Sequence, residues 1–76
     1  MTENKFIERY ANRLKSALEY CFTSQKELSK MTGIPESTIS TYCRGARMPT
    51  VKNIINIANA LDYEIDYFID ADEPIK

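Results

Sequence analysis

The sequence predicts a single all-α domain of five helices, and three observations carry that expectation. Apolar residues recur at spacings of three and four along most of the chain, the period of a helix face packed on a core. Two Gly and three Pro in 76 residues are too few for a turn-rich β fold, and Gly33, Pro35, Gly45 and Pro49 fall between the periodic runs rather than within them. Hydrophobic residues make up 43% of the chain, enough to fill one core and too many for a disordered segment.

The first helix is expected from about residue 4 to 20. Phe6, Ile7, Tyr10, Leu14, Leu18 and Cys21 form its apolar side, with Glu8, Arg9, Arg13, Lys15 and Glu19 between them. Ser24-Gln25-Lys26-Glu27 has the form of a capping box, so a second helix starts at about Gln25. It is expected to bury Leu28, Met31 and Thr32 and to stop at Gly33, which enters a left-handed cap without steric cost. Pro35 suits a first helical turn, so a third helix begins near it and runs to about Cys43, closed by Arg44-Gly45. About three residues then separate helices two and three. A Gly-containing turn of that length fits two short helices crossing steeply, which is the helix-turn-helix geometry. Thr50 caps a fourth helix with Val51, Ile54, Ile57, Ala58 and Leu61 on one stripe, and a fifth, at about 65–69, adds Ile65, Phe68 and Ile69. Residues 1–69 are expected to form the domain and 70–76 an acidic, frayed tail.

Composition excludes several kinds of chemistry. There is no His, and two Cys 22 residues apart, Cys21 and Cys43, match neither a zinc knuckle nor a redox pair. No metal, cofactor or enzymatic activity is expected. The chain has no run of eighteen apolar residues and no charged-then-apolar amino terminus, so it reads as soluble and cytoplasmic, without a membrane partner and with reduced thiols. The formal net charge of −1 conceals a division: residues 1–61 carry nine Lys/Arg against five Asp/Glu, and residues 62–76 one Lys against six acids. Screening limits the reach of a distant charge to roughly 8 Å at physiological salt, so a remote acidic end is compatible with a basic face that meets phosphate.

On a helical wheel, Ile39, Tyr42 and Cys43 share one side of the third helix, and Ser37, Ser40, Thr41 and Arg44 share the other. Short hydroxyl side chains ending in an Arg let a helix approach base edges closely. A merely solvated face would more often carry Glu, Lys and Gln for their helix propensity. Ile55, Tyr63 and Tyr67 are the large apolar or aromatic residues expected to stay exposed, because Ile54, Ile57, Leu61 and Phe68 fill the inward stripe. They are the candidates for a self-complementary dimer patch.

The segment 24–45, SQKELSKMTGIPESTISTYCRG, resembles the helix-turn-helix of the Cro and lambda-repressor-like family, also called the xenobiotic-response-element family. The matching points are Gln25, Leu28, small Ser29, Gly33, Ile34, Ile39 with Ser40, and Gly45. The likeness continues through Pro49-Thr50, Ile54, Ile57-Ala58, Ala60-Leu61 and Asp66-Tyr67-Phe68, over about residues 13–69. Three departures stand out. Ser29 replaces the usual Ala, and Tyr42 is bulkier than the usual aliphatic, leaning to the core edge with its hydroxyl in water. Leu18 and Cys43 occupy positions where many members place a buried Arg–Glu pair. Removing both partners leaves no orphaned charge, and it places Cys43 near the first helix, with Cys21 expected close by.

The resemblance implies a non-enzymatic, sequence-specific DNA-binding transcriptional regulator of bacterial or phage type, a repressor that occupies a pseudo-palindromic operator as a homodimer. Position by position, Glu36, Ser37, Ser40 and Thr41 would read bases in double-stranded DNA. Gln25, Lys26, Thr38, Arg44, Arg47 and Lys52 would contact phosphate. A stand-alone Cro-like protein, the amino-terminal domain of a longer repressor, a restriction-modification controller and an antitoxin are all compatible with it. The rival reading is a protein-interaction module of the same fold, of antitoxin or anti-repressor-binding type, that meets a regulatory protein partner through its acidic end: Asp62, Glu64, Asp66, Asp70, Asp72 and Glu73.

Overall fold

Each helix of the computed structural model, which describes residues 3–69, starts and stops where local side-chain chemistry dictates. Its elements are α1 (Glu3–Tyr20), α2 (Gln25–Thr32), α3 (Glu36–Cys43), α4 (Val51–Leu61) and α5 (Ile65–Ile69), with no strand among the described residues. The acidic segment 70–76 lies outside them. At the start of α2 the capping box is complete: the Ser24 hydroxyl accepts from the Glu27 N–H at 3.0 Å, and the Glu27 carboxylate accepts from the Ser24 N–H at 2.9 Å. Thr50 caps α4 by accepting from the Asn53 N–H at 3.1 Å. Pro35 stands at the N-cap of α3, where its missing N–H costs nothing.

The helix ends are less orthodox. Gly45 closes α3 with a left-handed residue and paired bonds, Gly45 N–H to the Tyr42 carbonyl and Ala46 N–H to the Thr41 carbonyl. α1 and α4 close with the same bond pattern, but Phe22 (φ 53°) and Asp62 (φ 63°) take the left-handed position. A Phe there carries a steric cost of about 1–2 kcal/mol, while its side chain, 94% exposed, gains no burial in return.

Every helix sends at least one fully buried side chain to a common centre: Leu14 and Ala17 of α1, Leu28, Ile39, Ile57 and Phe68 are each 0% exposed. Burial of that order stabilises by roughly 1.5–3 kcal/mol per large side chain. α1 packs on α3 and α5, α2 on α3 and α4, and α4 on α5, so α2 and α3 rest on a platform made by the other three. Tyr10 ties α1 to α3 and α5, its ring edge-on to Tyr42 at 6.3 Å and tilted against Phe68 at 5.5 Å. No helix among the described residues is long and apolar enough to cross a membrane.

Several side chains lie where the periodicity did not place them. Met31 is exposed, because α2 turns its Thr32 side toward its neighbours: the Thr32 hydroxyl donates to the Leu28 carbonyl and accepts from the Ile34 N–H. Val51 is exposed too; on the wheel it falls between inward Ile54 and outward Ile55. Ile69, the last residue of α5, is exposed as well. Tyr42 is buried to its hydroxyl, which accepts from Asn53 Nδ2 at 2.8 Å instead of meeting water. The thiols are reduced but face different elements. Cys43 borders α1 beside Ala11 and Lys15, whereas Cys21 Sγ lies 4.0 Å from the Leu61 carbonyl. Burial pushes the Cys43 thiol above its ordinary pKa, with Lys15 opposing the rise.

The Tyr10 hydroxyl is buried without a hydrogen-bond partner among the described residues, and burial raises its pKa well above the ordinary value. Tyr10→Phe removes an unsatisfied polar atom and leaves the packing in place. It is expected to hold or raise stability by about 1 kcal/mol in urea unfolding, whereas Tyr42→Phe, which breaks a made bond, is expected to lower it by a similar amount.

Candidate nucleic-acid interface

The connection between α2 and α3 is three residues long, and each has a separate task. Gly33 is left-handed (φ 82°) and its N–H bonds to the Ser29 carbonyl. A Cβ at Gly33 would meet nothing within 4 Å, so the requirement is conformational rather than steric. Ile34 is buried and plugs the turn into the core. Pro35 starts α3. Ser29 also locks the turn, its hydroxyl donating to the Ile34 carbonyl at 2.6 Å. An Ala there would allow the same close approach without this bond.

The buried side of α3 consists of Ile39, Tyr42 and Cys43, and this fixes which side faces out. Glu36, Ser37 and Arg44 are exposed, and Ser40, Thr41 and Thr38 are half-buried. Two bonds organise the outer face: the Thr41 hydroxyl donates to the Ser37 carbonyl at 2.8 Å, and Arg44 Nη1 donates to Ser40 Oγ at 2.9 Å. These bonds decide what each group still offers. Thr41 has used its proton and presents acceptor lone pairs. Ser40 has accepted from Arg44 and keeps a proton to donate. The face therefore offers an acceptor, a donor, the Glu36 carboxylate and the Arg44 guanidinium within two turns.

Beside α3 lies an open groove of about 610 Å³ between the α2–α3 turn and the start of α4. Pro35, Thr38, Arg47, Thr50, Lys52 and Asn53 line it. Three residues expected to meet phosphate, Thr38, Arg47 and Lys52, are thus gathered on one concavity. Gln25 and Lys26 stand apart from them at the start of α2, and Arg44 ends α3. The start of each helix also presents free backbone N–H groups and positive potential. The sequence reading missed Asn53, whose side chain is spent on Tyr42, and Asn56, whose Nδ2 donates to the Thr32 carbonyl at 2.9 Å. Their signal was present: two Asn three residues apart beside the apolar stripe of α4.

The three dimer candidates divide. Ile55 is exposed, but Tyr63 and Tyr67 are half-buried against one another at 4.8 Å and against Phe68. Arg13 holds Tyr67 from the α1 side, stacking over its ring at 5.4 Å and donating to its carbonyl. The large apolar side chains more exposed than Ile55 are Phe22, Tyr20, Val51 and Met31. Of the six acidic residues from 62 onward, Asp62, Glu64 and Asp66 are exposed, and Asp70, Asp72 and Glu73 lie outside the described residues. No group of three or more His, Cys, Asp or Glu among the described residues is placed to hold a metal ion.

A helix-turn-helix family model matches residues 23–68, from the α2 cap through Phe68 of α5. Three relatives share sequence with the chain. The replication factor C small subunit of Methanocaldococcus jannaschii is 47% identical over 47 residues, 62% of this chain and 2% of that protein. The uncharacterized HTH-type transcriptional regulator y4dL of Sinorhizobium fredii is 38% identical over 58 residues, 76% of this chain and 30% of that protein. The uncharacterized HTH-type transcriptional regulator YqaE of Bacillus subtilis is 30% identical over 60 residues, 79% of this chain and 52% of that protein. The chain thus matches no more than about half the length of any of the three.

Proposed function

This chain belongs to the helix-turn-helix family, and on that premise we propose that it is a sequence-specific DNA-binding transcriptional regulator, a repressor acting as a homodimer on a pseudo-palindromic operator. The family is non-enzymatic, and two of the relatives are uncharacterized HTH-type transcriptional regulators. The observation that carries the reading is the outer face of α3, where short hydroxyl groups with assigned donor and acceptor roles stand beside a groove holding Arg47 and Lys52. Placed in a major groove, Thr41 would accept from an adenine or cytosine amino group, and Ser40 would donate to a purine acceptor. The groove between Pro35 and Lys52, with the α2 start at Gln25, would receive the phosphates that fix the depth of α3.

One domain of this size covers one half-site. A second copy related by a two-fold axis would place its own α3 about one turn of DNA away, roughly 34 Å. The exposed pair Val51 and Ile55 on the outward side of α4 is the surface we assign to that contact. The direct test is selection of bound duplexes from a random pool, followed by footprinting. Enrichment of a two-fold motif supports the reading, and the absence of any enrichment at low salt contradicts it.

Glu36 is the residue whose role is most exposed to test. A carboxylate beside DNA repels phosphate, so in a binder it should accept from a base amino group or reject wrong sites. Glu36→Ala is expected to relax selectivity at one base pair per half-site by roughly 1–3 kcal/mol, with non-specific affinity equal or higher. Equal loss of both affinities in a fluorescence-anisotropy titration would return Glu36 to a helix-start acid. Arg44→Ala is expected to weaken binding to every sequence and to reduce the salt slope by about one unit; an unchanged slope would remove Arg44 from the phosphate contacts. Ile55→Lys is expected to abolish self-association in sedimentation and cooperativity on a two-fold site, and unchanged behaviour in both would exclude Ile55.

A further inference from the structure

α3 is short for the precision that base reading demands. It has eight residues and no side-chain cap at its start, and its inward side chains, Ile39, Tyr42 and Cys43, make mostly apolar contacts. Apolar burial is non-directional: it holds a helix against a core without fixing its roll. A hydrogen bond is directional, and two bonds from α4 reach into the helix-turn-helix. Asn53 Nδ2 donates to the buried Tyr42 hydroxyl on α3 at 2.8 Å, and Asn56 Nδ2 donates at 2.9 Å to the carbonyl of Thr32, the last residue of α2. That carbonyl is one of the four that a helix end leaves without an intrahelical partner. The two Asn are three residues apart, so they leave α4 from one face, while Val51 and Ile55 lie on another.

We infer that Asn53 and Asn56 are positioning residues that fix the orientation of both helices of the motif relative to α4, and that the Asn53–Tyr42 bond sets the roll of α3 against the bases. The inference rests on the DNA-binding reading and deepens it. Neither Asn needs to touch a base. Each acts through a helix that would, so its loss should be read in selectivity rather than in overall grip on the duplex. The same arrangement makes α4 the element through which contact with a second copy would reach the recognition helix.

The test uses the intact chain and two duplexes, one carrying the site selected by the wild-type protein and one of scrambled sequence. Tyr42→Phe keeps the ring and removes only the hydroxyl, and Asn53→Ala and Asn56→Ala remove the donors. Circular dichroism checks that each variant is folded at the assay temperature. For Tyr42→Phe and Asn53→Ala the ratio of specific to non-specific affinity is expected to fall about five-fold, and in Tyr42→Phe, which keeps the Asn53 side chain in the groove, non-specific affinity and the salt slope are expected to stay unchanged. The Tyr42→Phe/Asn53→Ala double variant is expected to fall no further than either single variant, because both remove one bond. Asn56→Ala is expected to fall independently of the pair. A ratio equal to wild type in Tyr42→Phe and Asn53→Ala would overturn the inference, as would a double variant whose losses simply add. Failure of the wild type to select any site would instead overturn the DNA-binding reading, so the two outcomes are separable.

Discussion

The direction of α3 follows from the three residues that join it to α2, in which a left-handed Gly33 reverses the chain, buried Ile34 pins the bend and Pro35 restarts the helix. With the turn fixed, the inward set of Ile39, Tyr42 and Cys43 is determined, and the hydroxyl groups opposite them are left on the surface. Two helices of eight residues cannot bury enough apolar area by themselves to hold this arrangement. α1 and α4 supply the platform, with Leu14 and Ile57 meeting Leu28 and Ile39 at the centre. A substitution that gave residue 33 a strongly right-handed preference would therefore disturb the outer face of α3 before it disturbed the core.

Charge works locally in this molecule. The whole chain is slightly acidic, yet the groove between the α2–α3 turn and α4 collects Arg47 and Lys52, and the described acids of the carboxy-terminal part stand on α5 and the turn before it. At physiological salt, charges more than about 8 Å away contribute little to a phosphate contact, so net charge is a poor guide to what the groove attracts. The polar side chains nearest the motif are also largely spoken for. Ser29, Thr32, Asn53 and Asn56 hold the motif together, and Ser40 and Thr41 have bonds that leave each a defined complementary capacity. This division between groups that fix the scaffold and groups that face outward is what allows so small a domain to present an ordered surface.

Much of this was legible in the sequence, for a physical reason. Caps are local: Ser24 and Glu27, Gly33, Pro35 and Thr50 act within a few residues of themselves, so the helix boundaries they set could be read directly. What escaped was non-local. Whether Met31 or Thr32 turns inward depends on where α3 and α4 lie relative to α2, and periodicity alone favoured both. The Tyr42 hydroxyl found Asn53, eleven residues away on another helix, where the sequence reading gave it water. Phe22 and Asp62 take left-handed positions that usually advertise themselves with a glycine, so the endings of α1 and α4 had no flag. Tyr67 read as exposed because its partner, Arg13, is on α1, more than fifty residues earlier in the chain, and Tyr63 is covered in turn by packing on Tyr67 and Phe68.

The outer face of α3 is assigned here to DNA, and amide chemical-shift mapping of the labelled protein titrated with its selected duplex tests that assignment most directly. The expected result is large shifts along Glu36 to Arg44, at Gln25 and Lys26, and from Arg47 through Asn53, with Tyr20, Phe22 and Met31 unmoved. The contradicting result is a set of shifts centred on Tyr20, Phe22 and Met31, or on Asp62 to Asp66, with α3 silent. In that case the hydroxyl face would be ordinary solvated surface, and the interface would lie on another side of the domain.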